Sequence, residues 1–352
     1  MATTGEAIAL QADRAAPART APAPAKKVTE AADVNAARVA ARLSGYRVEA
    51  LSERTETSTT YAEPDGSLSA EVFAAPVRMR EDNGAWADID TELERVDGDY
   101  EPRTALADIT VSGGGTTGPG PLASVERGAK SFGMGWQDAL PKAEIDGDLA
   151  SYDLGGDQTL TVRALADGFE QNVVLDKAPD RPLVYRVPMR LKGLTLSRDD
   201  ETGRLLLKDA AGKLTAEAPA PVMWDSSVDP ASGESRHLAQ VDTSVETAKD
   251  GSTLVLRPAP EYFRTSGLTY PVTVDPTSTL AASTDTWVAT NYPDSQSSSK
   301  ELKSGTYDGG TTKARSYLKF DVAKFGGQKI LSANLSRPSA TTTTATGTAP
   351  AG

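Results

Sequence analysis

Hydrophobic and polar residues alternate through most of the chain, from Tyr46 to Thr273, and turn dipeptides interrupt the alternation. Before Asp167-Gly168, for example, Leu160, Val162 and Ala164 fall on one parity, as they do in a half-buried strand. Asp-Gly and Asn-Gly pairs accept the positive φ of two-residue hairpin turns. The pattern predicts an antiparallel meander that closes into a β-sandwich. The dipeptides are Asp65-Gly66, Asn83-Gly84, Asp97-Gly98, Asp146-Gly147, Asp167-Gly168 and Asp250-Gly251.

A helical period precedes this region. Ala36, Val39, Ala40 and Leu43 follow the i, i+3, i+4, i+7 spacing that places side chains on one helix face. Thr29 can cap such a helix and Gly45 can end it. We therefore predict a short helix over residues 29–44, with a thin apolar face because two of its four members are alanine.

A second, smaller β pattern follows residue 283. It contains a hairpin signal at Asp308-Gly309 and an alternating run from Ser316 to Phe320. The preceding segment, Thr269–Asp275, reads as an edge-like strand, because Pro271 cannot donate a ladder hydrogen bond. The fold class predicted from these patterns is all-β, with two β regions in sequence.

Composition excludes several functions. The 352 residues include 37 Lys and Arg against 49 Asp and Glu, for a net charge of −12, and no basic run is longer than Lys26-Lys27. Phosphate contacts come from clustered Lys and Arg, so we expect no nucleic-acid partner. The absence of cysteine excludes disulfides and Cys-ligated metals. No apolar run approaches the ~20 residues of a membrane span, and the first twenty residues show no signal-peptide pattern.

Five pieces of the chain resemble, in this order, the N-terminal region of large secreted actinobacterial (Streptomyces-type) proteins. These proteins carry a DNRLRE domain and often YD (Rhs-type) repeats. The resemblance implies a secreted, extracellular and non-catalytic region. The pieces are residues 60–80 (TYAEPDGSLSAEVFAAPVRMR), 84–93 (GAWADIDTEL), 133–141 (GMGWQDALP), 218–227 (APAPVMWDSS) and 269–277 (TYPVTVDPT).

The second β pattern is similar to the start of a DNRLRE domain, although that six-letter string does not occur. The resemblance implies a jelly-roll, which needs about eight strands, whereas this module supplies about four and looks truncated. The resulting plan has six parts. They are a disordered Ala/Pro-rich leader (1–28), the helix (29–44), an antiparallel β domain (45–276), a linker (277–283), a partial jelly-roll (284–336) and a disordered Thr/Ala-rich tail (337–352).

Aromatic residues in the second module are candidates for carbohydrate binding, because sugar C–H faces pack on aromatic rings. Some of them could equally be core residues. The candidates are Trp287, Tyr292, Tyr307 and Tyr317.

Calcium is the one cofactor that we consider, as an optional structural ion. Asp146, Asp148 and Asp153, with Asp157, lie around Gly-containing turns, and oxygen-rich turns can hold Ca²⁺. Their spacing fits no EF-hand loop, and most such clusters are only turns. Asp285 and Asp321 are candidates in the second module, because jelly-roll modules often hold a structural calcium ion.

Catalytic candidates are few. Asp88 and Asp90 stand about 6–7 Å apart on one strand face, close to the separation of an inverting glycosidase pair, and Trp86 lies on the same side. The structural alternative for these residues is an ordinary strand whose acidic face lies in water. Asp225 opens a polar loop that reaches Arg236, and His237, the only histidine, reads as a loop residue without a Gly-x-Ser-x-Gly elbow.

The function expected from the sequence is a non-catalytic extracellular scaffold or adhesion region of a larger secreted protein. Its candidate partners are polysaccharide or cell wall and downstream modules. Two alternatives stay open. One is a glycan-acting hydrolase that uses Asp88 and Asp90 or Asp225. The other is the leader region of a YD-repeat polymorphic toxin.

Overall fold

The computed structural model describes ten stretches of the chain. They are residues 27–73, 76–228, 235–248, 251–277, 285–289, 305–306, 311, 313–318, 326–327 and 329–334. The leader before residue 27, residues 278–284 and the tail after residue 334 lie outside them. The described elements are almost all antiparallel strands, so the all-β class is confirmed. No helix among the described residues is long and apolar enough to cross a membrane. The chain divides into two compact units, Met1–Glu71 and Val72–Gly352.

The first unit is a helix on a four-stranded sheet with strand order β1-β2-β3-β4. Helix α1 begins at Val34 because the Asp33 side chain accepts hydrogen bonds from the backbone N–H groups of Asn35 (2.8 Å) and Ala36 (2.9 Å). It ends at Gly45, whose φ of 73° is left-handed. The elements are β1 (Glu30–Ala31), α1 (Val34–Ser44), β2 (Val48–Ala50), a 3₁₀ turn (Leu51–Glu53), β3 (Ser58–Ala62) and β4 (Leu68–Val72).

The predicted helix exists, but its predicted start and buried face are wrong. Residues 30–31 are a strand that pairs in parallel with β2, so the helix starts later. The face that packs on the sheet carries Ala37 and Ala41, both fully buried, whereas Val39 and Leu43 are 59% and 84% exposed. Small side chains on the buried face let the helix approach the sheet closely. The larger apolar residues point to the other side.

The second unit is built on two large antiparallel sheets. The eight-stranded sheet has the order β22-β23-β16-β11-β10-β9-β8-β7, and the seven-stranded sheet has the order β12-β13-β14-β15-β24-β20-β21. Strands β17-β18-β19 form a small third sheet, and β5-β6 form a hairpin.

The first eleven strands of this unit are β5 (Arg78–Arg80), β6 (Trp86–Asp88), β7 (Asp90–Val96), β8 (Asp99–Thr104), β9 (Asp108–Val111), β10 (Gly120–Arg127), β11 (Lys130–Trp136), β12 (Glu144–Asp146), β13 (Leu149–Gly155), β14 (Gln158–Ala164) and β15 (Phe169–Leu175). The next elements are β16 (Tyr185–Lys192), β17 (Leu194–Arg198), β18 (Leu205–Asp209), β19 (Leu214–Ala218), β20 (Val222–Asp225), β21 (Leu238–Gln240), β22 (Asp242–Ala248), β23 (Gly251–Arg257), a 3₁₀ turn (Tyr262–Arg264) and β24 (Val272–Thr277).

One hydrophobic core lies between the two large sheets, which confirms the predicted sandwich. Phe132 of β11 and Phe169 of β15 meet across it, with ring centroids 5.9 Å apart. The Tyr152 hydroxyl, from β13, donates a 2.5 Å hydrogen bond to the carbonyl of Ser112, next to β9. Contacts from both inner faces therefore hold the sheets together.

The turn dipeptides mark turns but do not all adopt the predicted type. Among the described ones, both residues are left-handed only at Asp97 (φ 49°) and Gly98 (φ 103°), as a type I′ turn requires. Gly66, Gly84 and Gly147 have positive φ, but the residues before them do not, and Gly168 has no positive φ at all. The dipeptides therefore located these turns, but in most cases they did not predict the turn type.

The described part of the second module is a small antiparallel sheet with the order β25-β27-β26. Its strands are β25 (Asp285–Ala289), β26 (Gly305–Thr306) and β27 (Lys313–Leu318). Residues 329–334 have no regular structure, and Ile330 and Leu331 are exposed. The DNRLRE-like jelly-roll therefore stays a prediction.

Candidate functional site

A buried carboxylate at the end of β20 is the centre of a polar site. Asp225 is 1% exposed. Its Oδ1 accepts hydrogen bonds from the hydroxyls of Ser227 (2.7 Å) and Ser235 (2.6 Å). Its Oδ2 accepts from the backbone N–H of Thr269 (2.8 Å) and lies 3.0 Å from Nδ1 of His237. We call these five residues the Asp225 cluster.

Strand pairing places Asp225 at this point. Met223 and Asp225 fall on the buried parity of β20, which lies between β21 and β24. The next residue, Ser226, donates its hydroxyl to the carbonyls of Thr269 and Tyr270, both at 3.0 Å. The end of β20 is thereby tied to the segment that leads into β24. Asp225 is the last residue of β20 and precedes the predicted polar loop, and the strand register carries its side chain inward.

The backbone of His237 is held as well. Its carbonyl accepts a 2.6 Å hydrogen bond from the hydroxyl of Tyr262, which is itself buried. Burial raises the pKa of Tyr262, and the nearby charge of Asp225 adds to the effect, so the phenol stays a donor. The imidazole remains 22% exposed. His237 therefore precedes β21 as a loop residue, as predicted, but has a fixed position and a partner.

The site keeps Asp225 ionised. Burial acts to raise the pKa of this carboxyl, but the hydroxyls of Ser235 and Ser227, the N–H of Thr269 and His237 together hold the pKa well below its usual range. A carboxylate only accepts hydrogen bonds, so Nδ1 of His237 carries the hydrogen in this contact. The pair thus fixes both the tautomer and the orientation of the ring.

This arrangement can supply one oriented acid–base group. With Nδ1 held by the carboxylate, Nε2 is the nitrogen that can take or give a proton. It is not a Ser-His-Asp triad, because the Ser235 hydroxyl donates to Asp225 and not to the imidazole. Sequence reasoning missed this pairing because Asp225, His237 and Thr269 are far apart in the chain and share no motif.

The other carboxylate pair, Asp88 and Asp90, is not arranged as a glycosidase site. The two residues lie in different sheets, and the Asp88 side chain is 92% exposed. Arg103 lies 3.4 Å from Asp90, also contacts Glu92, and donates to Glu94 at 2.6 Å. A glycosidase acid needs a carboxyl in apolar surroundings, which this exposed ladder does not offer.

Trp86, the candidate sugar platform, lies on the same strand as Asp88 and is already covered on one ring face. The guanidinium of Arg80, on the paired strand β5, lies 4.6 Å from the indole centroid. This cation–π contact is an ordinary way to stabilise a small two-stranded hairpin.

The candidate calcium ligands of the first β domain are engaged with other groups. Asp148 forms an ion pair with Arg163, Asp153 accepts from the N–H of Gly155 at 2.8 Å, and Asp157 lies 3.1 Å from Lys177. Among the described residues no three acidic or histidine side chains come together in a metal-binding group. Calcium at Asp146, Asp148 and Asp153 stays a prediction. The side chain of Asp285, and Asp321 altogether, lie outside the described part.

The candidate aromatic residues of the second module are only partly described. In the β25–β27 pairing Trp287 is opposite Ser316, and Tyr317 is opposite Thr286. Tyr292 and Tyr307 lie outside the described residues.

Three relatives of known name match this chain, each at 26% identity and each over 78% of the chain. The tRNA nuclease WapA of Bacillus subtilis (strain 168) matches over 317 residues. The tRNA3(Ser)-specific nuclease WapA of Bacillus spizizenii matches over 304 residues, and the tRNA(Glu)-specific nuclease WapA of Bacillus subtilis subsp. natto over 305. The chain spans 13% of the length of each relative. No family model matches, and no solved structure matches significantly.

These names overturn three expectations from the sequence. A non-catalytic scaffold, a protein without enzymatic activity and the exclusion of nucleic acid as a partner are all wrong, because the relatives are named as enzymes that act on tRNA. The argument from charge concerned this chain alone, which spans 13% of the relatives' length.

Proposed function

We propose that this chain is part of a nuclease toxin that cleaves tRNA. The observation that carries the proposal is the match of 78% of the chain to three proteins named as tRNA nucleases. Because the chain spans only 13% of their length, the activity is proposed for the protein as a whole, and the match assigns it to no residue of this chain.

The proposal agrees with one of the alternatives from the sequence, the leader region of a YD-repeat polymorphic toxin. The resemblance of residues 60–80 and 269–277 to secreted proteins supports the further proposal that this toxin is exported. The gene sequence on both sides of this frame is the direct test. A product with no YD repeats and no further β modules would remove this part of the proposal.

Inducible expression of the complete reading frame in a bacterial host tests the nuclease function. We expect growth arrest and discrete tRNA fragments on denaturing gels within the first generation after induction, with ribosomal RNA intact. Intact tRNA in cells that accumulate the soluble protein would overturn the proposal. Reading the fragment ends would identify the tRNA and the cleaved bond.

The Asp225–His237 geometry favours a second candidate function, acid–base catalysis within this chain. RNA cleavage by attack of a 2′-hydroxyl needs a base for that hydroxyl and an acid for the leaving 5′-oxygen. An imidazole held by a buried carboxylate can be one of these two groups. Its Nδ1 is held at 3.0 Å while the side chain keeps 22% exposure.

His237→Gln tests this candidate in the expressed full product. Loss of a positioned acid–base group typically costs 10²–10⁴-fold in rate, and we expect tRNA cleavage to fall by at least that lower value. The matched control is Gln240→Ala, a change in the following strand β21 that leaves the Asp225 cluster intact. Unchanged cleavage by a folded His237→Gln protein would exclude His237 from the reaction.

A further inference from the structure

Basic residues that are far apart in the sequence meet at one end of the eight-stranded sheet. The turn between β10 and β11 carries Arg127 opposite Lys130, and the next residue, Ser131, is opposite Lys192 of β16. The turn between β18 and β19 adjoins them, since Lys130 Nζ lies 3.5 Å from Asp209 and 3.3 Å from the hydroxyl of Thr215. We call the cations of this region the basic rim. They are Arg127, Lys130, Arg190, Lys192 and Lys213.

Two members of the basic rim, Arg190 and Lys192, are exposed, and neither forms an ion pair with a described residue. Arg186, on the same strand, differs because it pairs with Glu246. The charge of Lys130 is shared with Asp209. Two further carboxylates lie nearby among the described residues: Glu126 of β10 is opposite Ser131, and Asp108 of β9 is opposite Glu126.

Arg190 and Lys192 stand side by side on one face of β16. Arg190 and Lys192 are two apart on β16, so their side chains leave the same face about 6–7 Å apart. Their partners on β11 are the buried Gly133 and the half-buried Ser131, so the two long basic side chains are the exposed groups of these two pairs. Both charges therefore face solvent on the same side of β16.

We infer that the basic rim binds the phosphate backbone of tRNA, and this inference rests on the proposed function. Affinity for nucleic acid comes mainly from Lys and Arg that neutralise phosphates. The chain as a whole has a net charge of −12, so most of its surface repels RNA. Unpaired cations that stand together in such a protein confine RNA binding to one place.

The test is the salt dependence of tRNA binding by the full 352-residue chain, followed by fluorescence anisotropy between about 25 and 200 mM salt. The variant is Arg190→Gln with Lys192→Gln. We expect affinity at low salt to fall at least tenfold, and the slope of log K against log salt to shrink by about 1.4–1.8, because each lost phosphate contact removes about 0.7–0.9.

Arg95→Gln with Lys142→Gln is the matched control. It removes one Arg and one Lys that are also exposed and form no ion pair with a described residue, but that lie outside the basic rim. We expect it to bind tRNA within twofold of the parent chain. Thermal melts of all three proteins check that the fold is unchanged.

Two results would overturn the inference. The parent chain could fail to bind tRNA at low salt, or the control could weaken binding as much as the rim variant. Each of these leaves the nuclease proposal standing if the expressed product still fragments tRNA. Rim-dependent tRNA binding without any cleavage would instead support the rim and reject the nuclease.

Discussion

At the scale of single residues, Asp225 connects three segments of the second unit. Its carboxylate receives four hydrogen bonds and joins the end of β20, the start of β21 and the segment before β24. A buried charge is tolerated only where hydrogen bonds replace its hydration. The same four contacts that make this possible also orient His237. Structural and chemical roles therefore meet in one side chain.

Asp225→Asn should destabilise the protein by about 3 kcal/mol, because an amide presents N–H groups to neighbours that are themselves donors. The measurement is urea unfolding of the purified chain at neutral pH. Asp88→Asn is the control, since that side chain is 92% exposed and its loss should change the free energy of unfolding by less than about 0.5 kcal/mol. Equal effects of the two substitutions would contradict the role given to Asp225.

The pH dependence of stability should also depend on the Asp225 carboxylate. The pKa of Asp225 in the folded protein is below its ordinary value of 3.8. A depressed pKa contributes stability that is present above the unfolded value and is lost as pH falls through the folded one. Between about pH 5 and pH 2, the free energy of unfolding should therefore decrease more for the parent chain than for Asp225→Asn. Parallel curves would show that the carboxylate is not ionised in the fold.

At the scale of elements, the hydrophobic period predicted helix α1 correctly but predicted the wrong buried face. The i, i+3, i+4 pattern located the helix, and Gly45 ended it as predicted. The prediction placed Val39 and Leu43 on the buried face because they are the most hydrophobic residues. In the structure Ala37 and Ala41 are buried against the sheet, and their small side chains allow closer packing. Which stripe is buried depends on the partner surface, and that surface is formed by residues 48–62.

Gly45→Ala should destabilise the first unit by about 1 kcal/mol through backbone strain alone. Gly45 has φ 73°, and an added Cβ would meet no atom within 4 Å, so no clash contributes. Gly168→Ala is the matched control, because that site is equally open but has no positive φ, and the change should be neutral or slightly stabilising. Hydrogen exchange of the α1 amides for Gly45→Ala, and of the β15 amides for Gly168→Ala, would report the difference.

At the scale of the whole molecule, the two large sheets stabilise each other across a single core. Leu160, Val162 and Ala164 of β14, which the alternation predicted to share a face, are all fully buried there. Leu160→Ala should lower the free energy of unfolding by about 2–5 kcal/mol, because it leaves a cavity between close-packed sheets.

The control for this substitution is Leu214→Ala, since Leu214 is 45% exposed at the start of β19. Urea unfolding should show a small change for it, below about 1 kcal/mol. A small effect of Leu160→Ala as well would mean that the sheets do not share one core.

Much of the fold was predictable, because its signals are local. Alternation has the period of a strand, and Asp97-Gly98 has the backbone freedom of a tight turn, so both are properties of neighbouring residues. The site was not predictable in the same way. Asp225 and His237 were visible as single residues, but nothing near either one indicates that Thr269 donates to the same carboxylate.

The sequence by itself determined the all-β class, the existence and C-terminal end of the short helix, and strands such as β14, because each follows from the pattern of neighbouring residues. The tertiary structure decided which residues meet. Tertiary packing brought Thr269 to Asp225 across 44 positions and Lys130 to Thr215 across 85. Local conformation is encoded in short stretches, whereas contacts between distant strands depend on how the whole sheet order closes. Both the Asp225 cluster and the basic rim depend on contacts between distant parts of the chain.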